Sequence, residues 1–371
     1  MKKFVSFLSR KMNFSAYLAL MILFLISSAN SCDHKQGAKR EIKTACYWTS
    51  PIMAKEQARE LSKFSLVIVD MENMVNNKAS LRLMKRLNPE IKLICYSNPM
   101  EFFTPMIPDR SIQKRWYQEA QAYPLWVLRR NDRSEAHYWP GMTMMNLSSL
   151  CPSYNGVNYF RWMADKLLAE VLNDNLFDGY YMDNGGGSIS WLYANSYSQL
   201  DIDNDQEPDA RNKIDESWYE GIHSFLKIIR DKKGSDFILL ANKGSVEFMD
   251  LLDGRFFEGW VNDYLGSKAN GGWDQCFKNA KLMENEFDAK YTIFQVRQSS
   301  ELEYALASAA LLDHVYVAVG QDNYRSYPAF DLMPGQALGP YWQVGDTYYR
   351  KFENFKVVVR PSQERGEIVA N

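Results

Sequence analysis

The chain has 371 residues, of which 24% are charged and 46% are hydrophobic, and its formal net charge is −2 at pH 7. This composition excludes a disordered chain, a collagen-like chain and a membrane protein with many spans. A single α/β barrel reaches about 250 residues or more, so one large domain accounts for this length as well as two smaller ones. Aromatic residues reach 14% of the sequence, an excess typical of sugar-binding clefts and of crowded barrels.

Residues 1–31 are predicted to be a signal peptide that is not part of the fold. Four basic residues precede an apolar run at 16–26, and small residues follow up to Cys32, which is the order of a secretory signal. Residues 29–32 also resemble a bacterial lipoprotein processing site, with Cys32 as the lipidated residue. We therefore expect an exported protein that contacts the membrane of the cell envelope only through a lipid anchor. Plain secretion is the alternative.

The predicted mature chain is mildly acidic. Removal of a leader with four basic and no acidic residues changes the formal net charge from −2 to −6. The sequence has no basic tract with interleaved aromatic residues, so a nucleic-acid partner is not expected. The cysteines after Cys32 include no C-x-x-C pair, which argues against a zinc or redox site and leaves disulfides open. Cys46 and Cys95 fall in apparent strands, where burial as small hydrophobic residues is favoured.

After a linker at 32–42, residues 43–371 alternate β-rich runs with amphipathic segments, which predicts a parallel sheet wrapped by helices. The predicted strands are 43–48, 65–71, 92–98, 179–184, 237–243, 255–260, 291–297 and 314–320. The predicted helices between them are 53–63, 80–87, 157–172, 213–231, 246–252, 275–286 and 300–312. Eight strands with intervening helices predict an α/β protein with a single (β/α)8 barrel, or TIM barrel.

Two long loops interrupt this pattern, at 99–155 after strand 3 and at 185–210 after strand 4. Both follow the C-terminal end of a strand, which in a barrel places them on the catalytic face. The first loop is rich in aromatic residues, includes an extra strand near 142–147, and is the predicted substrate-binding wall. The tail after residue 320 is predicted to end in a short β-hairpin at 348–360.

The C-terminal ends of barrel strands point into one mouth, and here they carry acids, amides and aromatic rings. Carbohydrates need polar partners for their hydroxyl groups and aromatic faces for their C–H surfaces, so this mixture is typical of a sugar-binding site. For any single aromatic residue, barrel packing is the alternative. The predicted substrate-binding residues are Trp48, Asp70, Tyr96, Asn98, Trp139, Asn184, Asn242, Lys243, Trp260, Gln295 and Arg297.

Two carboxylates are the candidate catalytic pair, because hydrolysis of a glycosidic bond needs one acid and one nucleophile or base. Asp183 ends predicted strand 4 and Glu258 lies near the end of predicted strand 6. The alternative is that either residue orients a neighbour or pairs with Lys243 or Arg297.

These segments resemble a known family. The runs FDGYYMDN at 177–184, LANK at 240–243, FEGW at 257–260 and RKFENF at 350–355 are similar to those of glycoside hydrolase-like TIM barrels. Those barrels are distant relatives of the family 114 endo-polygalactosaminidases. The resemblance implies a TIM barrel with a sugar-related role. Related barrels with an acid pair on strands four and six imply Asp183 as nucleophile and Glu258 as general acid/base in a retaining mechanism.

An acidic loop beside Asp183 has carboxylates spaced for a hard cation. Gln206 replaces the glycine of a calcium-binding loop, and a solvated acidic loop is the alternative. No cofactor is expected to be required, and a calcium ion here would be structural. The predicted ligands are Asp201, Asp203, Asp205 and Asp209.

The leading hypothesis is a lipid-anchored glycoside hydrolase that acts on a polysaccharide or glycan. The alternative is a carbohydrate-binding TIM barrel without turnover. The sequence contains neither a G-x-S-x-G elbow nor an H-E-x-x-H helix, so other hydrolytic chemistries are not indicated.

Overall fold

The computed structural model describes residues 42–103, 111–195, 199–261 and 271–371. The predicted leader, Cys32 and all but the last residue of the predicted linker lie outside these residues. Within the described part of the chain, no helix has both the length and the apolarity that crossing a membrane requires.

Eight parallel strands form a barrel in the order β1-β2-β3-β7-β9-β10-β11-β12. A parallel bridge between Thr44 and Val317 connects the last strand to the first. The predicted TIM barrel is confirmed, and every barrel strand overlaps its predicted position. The strands are β1 Ala45–Trp48, β2 Leu66–Asp70, β3 Lys92–Ser97, β7 Gly179–Met182, β9 Ile238–Asn242, β10 Gly254–Glu258, β11 Thr292–Val296 and β12 Val315–Val319.

Alternate residues of each strand pack on opposite sides of the barrel wall. The interior is filled by a compact cluster that includes Leu66, Ile68, Ile94, Leu240 and Ile293. The outer layer packs the strands against the helices. The start of β7 fits only a glycine, because a Cβ atom on Gly179 would lie 2.4 Å from the carbonyl oxygen of Ile238.

The helices cover the outside of the barrel, and their apolar faces are buried against the strands. The segment 246–252, predicted as a helix, forms turns instead. Phe248 has a φ of +59°, which no right-handed helix accommodates. The helices are α1 Lys55–Leu61, α2 Asn73–Asn76, α3 Lys78–Leu87, α4 Ile112–Ala120, α5 Tyr159–Glu170, α6 Arg211–Lys233, α7 Gly272–Glu286 and α8 Leu302–Ala310.

The two long loops form small antiparallel sheets of their own. After β3, strands β4 (Glu101–Phe103) and β6 (Met142–Met144) pair, which confirms the predicted extra strand. Strands β5 (Arg129–Arg130) and β8 (Leu200–Asp201) join the first loop to the second. Both loops lie after the C-terminal ends of their barrel strands and so border the mouth.

The C-terminal tail forms a four-stranded antiparallel sheet rather than an isolated hairpin. The predicted hairpin is confirmed as its central pair, and two outer strands were missed. The strands are β13 Trp342–Val344, β14 Thr347–Lys351, β15 Phe355–Arg360 and β16 Arg365–Ala370. Outer strands of this kind are short and partly exposed, so their hydrophobic pattern is weak.

All cysteines after Cys32 are buried and none forms a disulfide in this structure. Cys46 in β1 and Cys95 in β3 pack in the outer layer, which confirms the prediction that they serve as small hydrophobic residues.

Candidate active site

Asp183 and Glu258 lie at neighbouring positions of the mouth and share one hydrogen-bond donor. Asn242, at the end of β9, donates from Nδ2 to Asp183 Oδ1 at 2.9 Å and to Glu258 Oε2 at 2.8 Å. The strand order β7-β9-β10 produces this arrangement, because β9 stands between the two strands that carry the acids. A primary amide has two N–H groups and can serve both carboxylates at once.

This shared donor limits the separation of the two carboxylates. The two bonded oxygens can be no further apart than both hydrogen bonds laid end to end, about 5.7 Å. Retaining glycosidases have carboxyl groups about 5–5.5 Å apart, and inverting enzymes about 6.5–9.5 Å apart. The bound applies to one oxygen of each group, and it shows that these two oxygens lie closer together than the carboxyl groups of inverting enzymes.

Asp183 has two further donors. The Tyr96 hydroxyl donates to Oδ2 at 2.9 Å, and the backbone N–H of Asn184 donates to Oδ1 at 2.8 Å. Asn184 has a φ of +53°, a left-handed conformation that asparagine tolerates better than most residues. Three hydrogen-bond donors fix the orientation of this carboxylate.

Glu258, in contrast, has a raised pKa. Burial raises its pKa, and the negative charge of Asp183 adds to this rise. The hydrogen bond from Asn242 and the positive charge of Arg297 lower the pKa but do not cancel the rise. A raised pKa on one of two neighbouring carboxyl groups suits that group to act as the acid beside a nucleophile.

Aromatic rings form the floor of the site. Tyr47 packs against Phe256 with ring centroids 4.9 Å apart, and Tyr96 stacks on Tyr181 at 5.8 Å. Burial, with the charges of Asp183 and Glu258 nearby, holds the pKa of Tyr47 and Tyr181 well above the usual range. This floor closes the barrel below the carboxylates and lowers the local dielectric.

Glu101 is a further carboxylate in the mouth, and the sequence analysis missed it. It begins β4, is 4% exposed, and accepts from the side-chain amides of Asn98 and Asn184 at 3.1 and 3.2 Å. Burial, opposed by the Asn98 hydrogen bond and reinforced by the charge of Asp183, raises its pKa to about 7. It follows the end of β3 by four residues, so strand-end reasoning could have found it only if the short β4 had been predicted.

Arg255, also missed, fixes the loops that carry the acids and Asn242. It is 0% exposed, and Nη1 donates to the carbonyl oxygens of Gly185 and Asn242 at 2.9 and 2.8 Å. Its Nη2 donates to the carbonyl oxygen of Glu247, which accounts for the turns found at 246–252. Burial lowers the pKa of this guanidinium to about 10. A buried arginine inside a strand gives no sign of this role in the sequence.

Several of the predicted substrate-binding residues lie at the mouth. Asp70 is 5% exposed at the end of β2, and burial raises its pKa to about 7. Gln295 accepts from the backbone N–H of Gly259 at 2.8 Å. Lys243 is exposed, and its backbone N–H donates to Asn242 Oδ1 at 2.6 Å. Of the predicted residues, Tyr96, Asn184 and Asn242 bond directly to Asp183, and the charge of Arg297 acts on Glu258.

The structure does not bring every predicted residue to the pair. Trp48 packs in the outer layer with an edge contact to Tyr324 at 5.7 Å, and Trp260 stacks on Phe294 at 3.5 Å. Both indoles are about 97% buried. Trp139 lies on the first loop, is 41% exposed, and packs against Tyr138 at 4.8 Å.

Three of the four predicted metal ligands form a cluster. Carboxylate oxygens of Asp201, Asp203 and Asp209 lie within 4.8 Å of one another, whereas Asp205 accepts from the N–H of Glu207. The ammonium group of Lys213 binds both Asp203 and Asp209. This cation already balances part of the charge that would attract a metal ion.

Most of the chain matches the model of a protein family. The model of the family described as "Hypothetical glycosyl hydrolase family 15" matches residues 85–356. The chain belongs to this family. Its match includes both candidate acids, Asn242, Glu101 and Arg255. No curated protein matches the sequence.

Solved structures with a similar fold come from distant proteins. A maltogenic α-amylase of Thermotoga neapolitana is 9% identical, with a TM-score of 0.47 and 86% of each chain covered. A dextranase of Flavobacterium johnsoniae is 10% identical, with a TM-score of 0.48 and coverage of 78% of this chain and 38% of that one. An α-N-acetylgalactosaminidase of Bifidobacterium bifidum is 9% identical, with a TM-score of 0.47 and coverage of 89% and 58%. At this identity the likeness concerns the fold alone.

Proposed function

We propose that this protein is a retaining glycoside hydrolase that acts on a polysaccharide or glycan, with Asp183 as nucleophile and Glu258 as general acid/base. The observation that carries the proposal is the single amide of Asn242 bonded to both carboxylates. It brings one oxygen of each carboxylate to within about 5.7 Å of the other, which supports a retaining pair. Membership of a glycosyl hydrolase family supports the reaction class. The relation to the family 114 enzymes stays a prediction.

The mechanism follows from the different surroundings of the two acids. In the first step, ionised Asp183 attacks the anomeric carbon while Glu258 gives its proton to the departing glycosidic oxygen. A covalent glycosyl–Asp183 ester forms and the leaving alcohol departs. In the second step, Glu258 takes a proton from water, which attacks the anomeric carbon and releases Asp183.

Asn242 and Arg297 adjust this cycle. When Glu258 loses its proton, the Asn242 amide and the charge of Arg297 stabilise the resulting carboxylate. Tyr96 stabilises Asp183 when the ester breaks, since its hydroxyl donates to Oδ2. The sugar would lie on the ring floor formed by Tyr47, Tyr96, Tyr181 and Phe256.

The test is release of reducing sugar from a panel of neutral and galactosamine-containing bacterial polysaccharides. We expect cleavage by the wild-type protein and its loss in both Asp183→Asn and Glu258→Gln. A fluorinated glycoside that traps the covalent ester should add one sugar mass to the peptide containing Asp183. Binding without cleavage would support a carbohydrate-binding barrel instead, and cleavage that survives both substitutions would exclude this acid pair.

The proposed location is the cell envelope, through a lipid on Cys32. Residues 1–31 have the order of a secretory signal, and small residues precede the cysteine. Metabolic labelling with a fatty-acid analogue should mark the wild-type protein. It should not mark Cys32→Ser, whereas Cys46→Ser should be labelled as the wild type is.

A further inference from the structure

The two carboxylate oxygens of Glu101 differ in their hydrogen bonding. Its Oε2 accepts two amide hydrogen bonds, while its Oε1 is buried and has no hydrogen-bond partner among the described residues. A buried acceptor without a partner destabilises the fold, and more so when it is charged. A functional site can retain such an acceptor because a bound ligand donates the missing hydrogen bond.

A small cavity adjoins this carboxylate. It has a volume of about 110 Å³, several times the roughly 30 Å³ share of one liquid water and well below the roughly 300 Å³ of pockets that enclose whole drug-sized ligands. The cavity therefore suits a substituent of a sugar, not a second ring. Besides Glu101, its wall combines apolar side chains such as Met71 and Trp116 with polar ones such as Ser97 and Gln113, which suits a group that has both a hydrocarbon part and a hydroxyl.

The cavity lies beside the proposed nucleophile. Tyr96 forms part of its wall and donates to Asp183. Asn184 donates its backbone N–H to Asp183 and its side-chain amide to Glu101. A sugar ring whose anomeric carbon faces Asp183 would thus have one of its substituents directed at Glu101.

The geometry points to Glu101 as a specificity-determining residue that accepts a hydrogen bond from the exocyclic hydroxymethyl group of the sugar bound at Asp183. The methylene would pack against the apolar part of the wall, and the hydroxyl would donate to Oε1. A ring hydroxyl, attached directly to the ring, offers no methylene for that wall. The inference rests on the proposed function in taking a sugar as the ligand and in directing its anomeric carbon at Asp183.

The experiment compares matched pairs of sugars that differ only in this hydroxyl. Methyl glucoside, galactoside and mannoside, in both anomers, are titrated against their 6-deoxy counterparts by ligand-observed NMR on the full-length protein. We expect at least one hexoside to bind with a Kd at least about tenfold below that of its 6-deoxy partner, because a site built around a hydroxyl rejects the analogue without it.

Substitution of Glu101 tests the assignment. Glu101→Leu should reduce the ratio of the two Kd values to about one, and Glu101→Gln should reduce it at least threefold. The glutamine variant preserves shape and can still accept from the amides, so it serves if the leucine variant fails to fold. Glu284→Gln is the matched control, since Glu284 is a partly buried glutamate with a raised pKa and accepts from backbone N–H groups of Asp313 and His314. It should leave the ratio unchanged.

The outcomes separate this inference from the proposed function. Equal binding of the paired sugars, an unchanged ratio in Glu101→Gln, or no binding by any hexoside would overturn it. Selective binding without hydrolysis would support the role of Glu101 and refute the proposal that the protein is a hydrolase. Hydrolysis with no preference for the hydroxymethyl group would leave the hydrolase standing and refute the role of Glu101.

Discussion

Two barrel strands have an acid at each end, and the two ends differ. Asp178 precedes β7 and Asp183 follows it, while Asp253 precedes β10 and Glu258 ends it. At the lower end, Asp178 binds the ammonium of Lys85 and accepts from the N–H of Leu93 at 2.7 Å.

Asp253 is bound in the same manner. It forms an ion pair with Arg230 at 2.6 Å and accepts from the N–H of Leu239 at 2.7 Å. Each lower acid thus has a cation and a backbone donor from a neighbouring strand, and each ties one strand to a helix.

Among the described residues, neither Asp183 nor Glu258 forms an ion pair of this kind, although the charge of Arg297 acts on Glu258. Asp183 and Glu258 share an amide, and burial raises the pKa of Glu258. Glu101, beside them, has an oxygen without a partner among the described residues. The comparison teaches that the lower acids bind cations that support the fold, whereas the upper acids are bound by neutral amide and hydroxyl donors.

The largest expected effect is the separation of activity from stability at the upper end. Asp183→Asn and Glu258→Gln should each lower kcat by at least about 10³-fold. Glu258→Gln should also stabilise the fold by about 1 kcal/mol at pH 7, because it removes a charge that burial disfavours. Urea denaturation and initial-rate kinetics on the same preparations measure both effects.

The pH dependence of that stabilisation has a definite sign. A raised folded-state pKa makes ionised Glu258 destabilising above that pKa, and the penalty vanishes once the group is protonated in the folded and unfolded states. The advantage of Glu258→Gln should therefore disappear as the pH falls to about 4. An advantage that persists at low pH would show that charge is not its cause.

Asn242→Ala should have the next largest effect, a loss of about 10–100-fold in kcat. It removes the donor shared by the two acids and raises the pKa of Glu258 further, since the amide stabilises its ionised form. Because the first step needs protonated Glu258, the basic limb of the kcat profile should move to higher pH. Lys85→Met, at the lower end, should leave that limb in place.

Substitution of the lower acids should lower the stability of the fold and leave the activity nearly unchanged. Asp178→Asn and Asp253→Asn should each lower the free energy of unfolding by about 1–3 kcal/mol, as each weakens an ion pair and a hydrogen bond to the backbone. Activity per folded molecule should stay within twofold of the wild type. A tenfold loss of kcat in fully folded protein would contradict the division between the two ends.

The smallest effect is expected at the acidic loop. If Lys213 supplies the positive charge there, EDTA should change the Tm of the wild-type protein by less than about 1 °C. Lys213→Met should lower Tm by a few degrees, and added calcium should recover part of the loss through Asp201, Asp203 and Asp209. A large EDTA effect on the wild-type protein would show that an ion binds beside Lys213.

The sequence by itself predicted the barrel and the side chains near the C-terminal ends of its strands. Buried β-rich runs such as Leu66–Asp70 are local signals, and the period of two along a strand decides which neighbours share a face. Local pattern failed at 246–252, where the guanidinium of Arg255 binds the Glu247 carbonyl and Phe248 adopts a positive φ. No local signal reports a bond donated from another strand.

Only the tertiary structure decided how the site is assembled. The placement of Asn242 between two acids depends on the order of strands, and the role of Glu101 depends on a loop that returns to the mouth. Trp48 and Trp260 are of the residue type that stacks on sugar rings, but both pack in the outer layer. The physical reason is that distance, burial and shared donors arise between residues far apart in the chain, whereas periodicity describes only neighbours.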